Sequence, residues 1–170
     1  MRHLLNYTLR PARQEDLRAV LQWIDSPESL KLWGGPVLTY PPNPELTWDE
    51  LKAAEENTFA LVDENLAIAG FGQTLCREEH SVHLARIIVS PAIRGRGIGR
   101  ILCSQLMQRA VERYNPTVIT LNVYTANAPA LSLYRSLGFS PVTSEDESGS
   151  IKMQVTIGSA HGPGPAATDS

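Results

Sequence analysis

Ile87-Ile88-Val89-Ser90-Pro91-Ala92-Ile93-Arg94-Gly95-Arg96-Gly97-Ile98-Gly99 runs from an apolar strand into an amphipathic helix, and its reading decides the fold. Residues 81–90 read as a strand whose apolar end is Ile87-Ile88-Val89. Over 98–113, Ile98, Ile101, Leu102, Leu106, Ala110 and Val111 fall on one helical face. Between the two, glycines let the chain bend so that successive N–H groups face one concavity. The helix N-terminus adds the positive end of its dipole, and together they favour an anion, typically a phosphate. Arg94, Arg96 and Arg100 strengthen that preference. A dinucleotide fingerprint fails, because Gly95-x-Gly97 leads to Arg100 where a third glycine is needed, and residues 120–124 lack the ribose-binding acid. A phosphate-binding loop of the Gly-Lys-Ser/Thr kind fails because that run does not occur. The pattern that fits is Arg/Gln-x-x-Gly-x-Gly/Ala, at Arg94, Gly97 and Gly99.

Downstream, 117–124 is β-branched and apolar, a buried strand by composition. Asn127 is placed to cap a helix that runs to about Leu137, with Gly138 as its C-terminal stop. Residues 151–157 alternate as a last strand. Upstream, Tyr7-Thr8-Leu9-Arg10 reads as a strand stopped by Pro11. It is followed by a helix over 14–24 with Leu17, Val20, Leu21 and Ile24 at helical spacing. Residues 26–47 carry prolines at 27, 36, 41, 42 and 44 and read as a long loop with one helical turn near 28–32. Thr47 and Glu50 form a capping-box pattern for a helix over 48–56. Residues 58–62 and 66–75 alternate around Asp63-Glu64-Asn65 as a hairpin. These elements predict an α/β (α+β) fold, a mixed sheet with helices on its faces.

The glycine segment resembles the acyl-CoA motif of the GCN5-related N-acetyltransferase (GNAT) superfamily. Asn127-Ala-Pro-Ala130-Leu-Ser-Leu-Tyr134-Arg-Ser-Leu-Gly138-Phe139 is similar to that family's second signature, N-x-x-A-x-x-x-Y-x-x-x-G-F, at every marked position. The resemblance spans roughly 7–157, and its specific motifs lie within 84–139. It implies the GNAT fold: a central mixed sheet of about six to seven strands flanked by about four helices, with splayed fourth and fifth strands. It implies acetyl-CoA as co-substrate, with the pantetheine arm bonded to the backbone of Ile87, Ile88 and Val89 as an added strand would be. The diphosphate is expected on Arg94, Gly95, Arg96, Gly97, Ile98, Gly99 and Arg100, and Asn127 is expected both to cap its helix and to bind near the pantetheine. Tyr134 takes the general-acid position, from which its O–H protonates the leaving sulfur. Some members carry a catalytic glutamate on the fifth strand, where this chain has Asn122, which takes no proton. Others carry it on the fourth strand, where this chain has His83, whose neutral imidazole could accept a proton directly or through water. The resemblance also implies an amine acceptor, a small molecule, peptide or protein, bound near Trp33-Gly34-Gly35-Pro36 and Tyr40.

Hydrophobic residues make up 42% and charged residues 19% of the 170 residues, a globular composition sufficient for one domain over 1–157. The run 158–170, GSAHGPGPAATDS, reads as a disordered tail. A net charge of −3 gives no footprint for nucleic acid or anionic membrane. Cys76 and Cys103 match no metal or redox spacing, so we expect two buried free thiols and no metal. No apolar run approaches the ~18 residues of a membrane span, so we expect a cytoplasmic protein, either monomer or homodimer. Two other function classes remain open: a CoA-binding sensor without turnover, and a binder of some other phosphorylated ligand.

Overall fold

The computed structural model describes residues 6–158, so the run read as a tail lies outside the described residues except for Gly158. Seven strands form one mixed sheet: β1 (Thr8–Pro11), β2 (Thr58–Val62), β3 (Ile68–Glu78), β4 (Ser81–Val89), β5 (Val118–Tyr124), β6 (Ser140–Pro141) and β7 (Ser150–Thr156). Their order across the sheet is β1-β2-β3-β4-β5-β7-β6. Five helices accompany them: α1 (Gln14–Gln22), α2 (Pro27–Gly34), α3 (Pro44–Glu50), α4 (Ile98–Tyr114) and α5 (Ala128–Ser136). The chain forms two compact units. One holds the chain up to Leu75 together with Leu84–Arg109, the other Cys76–His83 together with the chain from Ala110 onward.

In the first unit β1 pairs antiparallel with β2, and Pro11 is the last strand residue, opposite Phe59, rather than a stop. β1 is the sheet's first strand, and at an edge a missing N–H removes no ladder bond. Helix α1 buries Leu17, Val20 and Leu21. Its start is fixed by Asp16, whose carboxylate accepts from the Arg13 N–H at 2.8 Å and from both terminal nitrogens of Arg10 at 2.7 and 3.0 Å. Burial alone would raise the Asp16 carboxyl, but the Arg10 guanidinium and the Arg13 amide outweigh it and hold the group below its ordinary value.

The stretch expected to be a loop contains two helices. Ser26 and Asn43 are their N-caps, accepting from the N–H groups of Ser29 and Leu46, and each is followed by a proline in the first helical turn. Proline suits that position because the first-turn N–H has no intrahelical partner to lose. Thr47 is therefore no cap: it is buried within α3. The Glu50 carboxylate instead accepts from the Thr39 N–H and hydroxyl at 3.1 and 2.8 Å. Leu30, Leu51 and Phe71 join the α1 residues in one buried cluster, with Trp23, Trp33, Leu38 and Trp48 packed against it.

β2 and β3 form the expected hairpin, turned by Asp63, whose carboxylate accepts from the N–H groups of Asn65 and Ala67. β3 extends to Glu78 and its last residues leave the core. Cys76 is consequently exposed, against expectation. Cys103 is buried on α4, and burial pushes its thiol up to about 12, so it packs as a small apolar group.

In the second unit β5 pairs antiparallel with β7 from Val118↔Thr156 to Tyr124↔Ser150. The two-residue β6, too short for any alternation to reveal, pairs with β7 through Ser140↔Gln154 and Pro141↔Met153. The carbonyl of His80, just before β4, accepts from the Thr117 N–H at 2.8 Å beside the start of β5. Ile119, Leu121, Val123, Phe139, Ile151 and Met153 supply this unit's buried side chains.

Candidate active site

In the first unit the candidate anion site begins inside β4. Arg86 has φ +51°, a left-handed conformation rare for a residue with a side chain. Its carbonyl accepts from the Trp33 indole N–H at 2.8 Å, and its guanidinium donates to Gln73 at 3.3 Å. Gln73 is itself buried and donates to the Leu51 carbonyl and the Thr58 hydroxyl. Ile87, Ile88 and Val89 follow this irregular residue and are half-buried.

A short 3-10 turn, Pro91–Ile93, then leads to Arg94, whose Nε donates back to the Val89 carbonyl at 3.1 Å. That bond ties the loop to the strand it leaves. Gly95 and Gly97 have φ +79° and +82°, and a Cβ built on either would meet nothing within 4 Å. Ile98 anchors the far side of the loop as a buried first residue of α4. The loop is thus exposed and twice left-handed, and it sits at the start of a 17-residue helix. Open space over both glycines fits the approach of a diphosphate to the backbone.

The second unit holds the other expected site residues. Asn127 caps α5 as the sequence suggests, its side chain accepting from the Ala130 N–H at 3.2 Å. Tyr134 is buried on α5 and stands edge-on to Phe139, ring centroids 6.1 Å apart. Gly138 closes the helix at φ +97°. Asn122 is exposed on β5. His83 is buried, and its Nδ1 lies 2.7 Å from the hydroxyl of Thr120, also buried, on β5. Sequence reading did not pick out Thr120: it lies 37 residues from His83 and no local pattern links them. The Trp33–Arg86 bond, across 53 residues, was hidden for the same reason.

The family model described as "Acetyltransferase (GNAT) family" matches residues 17–139. The chain belongs to the GNAT acetyltransferase family. It is 32% identical over 149 residues to a mycothiol acetyltransferase from Thermobifida fusca, covering 77% of this chain and 46% of that protein. The chain thus spans less than half the length of that relative. Among solved structures, a putative acetyltransferase from Salmonella typhimurium with its cofactor acetyl-CoA superposes with a TM-score of 0.68. That match has 21% identity and covers 90% of this chain and 95% of the other. A spermidine N-acetyltransferase from Vibrio cholerae, in complex with CoA and spermine, superposes with a TM-score of 0.73 at 18% identity, covering 88% and 95%. These likenesses match the expected fold. The GNAT membership matches residues that include the glycine loop and the tyrosine helix.

Proposed function

We propose that this GNAT protein transfers the acetyl group of acetyl-CoA to a primary amine within a ternary complex. The observation that carries the reading is the loop Arg94–Gly99, left-handed at Gly95 and Gly97 with open space over both and leading into α4. Its amides would hold the diphosphate, with Arg94, Arg96 and Arg100 as the surrounding positive charge. The backbone of Ile87, Ile88 and Val89 would bind the pantetheine. Acetyl-CoA supplies the activated thioester.

The amine nitrogen bonds to the acetyl carbon as the C–S bond breaks. The sulfur takes a proton from the Tyr134 O–H, and the proton shed by the nitrogen restores the tyrosine through solvent. Tyr134 suits this task because its neighbour Phe139 and the cap at Asn127 fix the helix that carries it. The acceptor is an amine of a small molecule, a peptide or a protein. We place the reaction in the cytoplasm, where free cysteines such as Cys76 and Cys103 stay reduced.

Incubation with acetyl-CoA and a panel of amines, following free thiol, tests the proposal. Amine-dependent thiol release supports it. Tight acetyl-CoA binding with no release from any amine would make the chain a binding module, and absence of binding would remove the loop assignment.

A further inference from the structure

Trp33, next to last in α2, donates its indole N–H to the carbonyl of Arg86 at 2.8 Å. Its ring is half-buried and tilted against the fully buried Phe71, with centroids 5.8 Å apart. Leu38 folds back onto Gly34, where a Cβ would have no room, and packs on the same core cluster. The end of α2 is therefore seated on the core, and the donor it presents to β4 is fixed in place. Seating needs only the ring. The N–H serves the strand.

Arg86 lies inside β4 at φ +51°, a conformation that costs a residue with a side chain and persists only where its surroundings hold it. The peptide that follows is trans and planar, so its C=O and N–H point in opposite directions. The bond that aims the Arg86 carbonyl at Trp33 therefore aims the Ile87 N–H away from it. A left-handed residue within a strand also re-aims the backbone groups that follow it. Here those groups belong to Ile87, Ile88 and Val89.

We infer that Trp33 is a positioning residue for acetyl-CoA: its indole N–H holds the turned peptide between Arg86 and Ile87, and so sets the direction of the backbone groups that take the pantetheine arm. The inference rests on the acetyl-transfer reading above. The resemblance places Trp33 near the acceptor, but the bond gives its polar hydrogen to the strand proposed for the cofactor.

Calorimetry of the full chain with two ligands tests this. One is acetyl-CoA, and the other is adenosine 3′-phosphate 5′-diphosphate, the half of CoA that carries no pantetheine. Trp33→Phe keeps an aromatic ring against Phe71, leaves the Arg86–Gln73 contact in place and removes the N–H. Its acetyl-CoA Kd should rise about five- to tenfold, the range for one lost hydrogen bond, while its nucleotide Kd stays at the wild-type value. An unchanged acetyl-CoA Kd in folded protein overturns the inference. So does an equal loss for both ligands, which marks a general loosening of the fold.

Where Trp33→Phe does not fold, the wild type decides. Its Trp33 indole 15N–1H signal, assigned by elimination with Trp23→Phe and Trp48→Phe, should shift on saturation with acetyl-CoA and stay unmoved with the nucleotide. A signal that ignores acetyl-CoA, or answers both ligands alike, overturns the inference. Absence of acetyl-CoA binding to the wild type would instead remove the acetyl-transfer reading on which it rests.

Discussion

Helix α4 meets two pairs of glycines in the first unit, and the pairs are there for opposite reasons. A Cβ on Gly72 of β3 would stand 2.6 Å from Cδ1 of Leu106. One on Gly70 would stand 3.0 Å from Leu102 and 3.1 Å from the Ile88 carbonyl oxygen. Here the missing side chain is occupied space, and it lets the helix settle on the strand. Gly95 and Gly97 precede the helix with left-handed backbones and nothing within 4 Å of a built Cβ. There glycine supplies the conformation and leaves the space above the loop open. The comparison teaches that a missing Cβ serves packing at Gly70 and Gly72, and at Gly95 and Gly97 serves a left-handed turn with open space, which is what the proposed diphosphate site needs.

The sharpest way to break this comparison is Gly97→Trp. Acetyl-CoA affinity by calorimetry should fall at least a hundredfold, while the melting temperature drops only by the few degrees that a strained φ costs. An unchanged affinity in folded protein would return the loop to a structural turn.

Asp16→Asn probes packing alone. It leaves Arg10 facing a neutral amide and should cost about 2–3 kcal/mol, somewhat under the range for fully buried pairs because Arg10 is partly exposed. Folding lowers this carboxyl, so its stabilisation is complete above the ordinary value of 3.8 and is lost as pH falls through the folded value. The stability gap between wild type and Asp16→Asn, from denaturant melts, should be flat from about pH 5 to 8 and close in stronger acid.

Gly72→Ala is the mirror of the loop substitution. It should lose about 1–2 kcal/mol by overpacking against Leu106, with acetyl-CoA affinity intact. A change in affinity without loss of stability would reverse the roles given to the two pairs. The smallest effect is expected at Thr47, whose buried hydroxyl has no hydrogen-bond partner among the described residues. Thr47→Val removes an unsatisfied group and should be neutral or stabilising by up to about 1 kcal/mol in the same melts.

Elements set by short-range rules were legible from the chain. Apolar spacing over 98–113 gave α4, and the Asn127 cap with Gly138 gave α5, because both depend on residues within a few positions. The same rules misplaced 26–50. Thr47 and Glu50 have the spacing of a capping box, but Glu50 bonds Thr39, eleven residues back. The better signals, Ser26-Pro27 and Asn43-Pro44, were present and outweighed by the count of prolines. In the site, the loop and Tyr134 were readable as motifs. Two long-range contacts were not: Trp33 on Arg86 and Thr120 on His83 join residues that only the folded sheet brings together. Nor did alternation in 66–75 explain Gly70 and Gly72, since the side chains above them come from another helix.

The central claim, that Tyr134 provides the proton for the departing sulfur, is tested most directly by single-turnover acetyl transfer in Tyr134→Phe. The substitution keeps the ring against Phe139 and removes only the O–H. The account predicts a rate lowered by about 10²–10⁴-fold, with acetyl-CoA affinity and melting temperature nearly unchanged. A chemical step at the wild-type rate would contradict it and leave Tyr134 as a core aromatic.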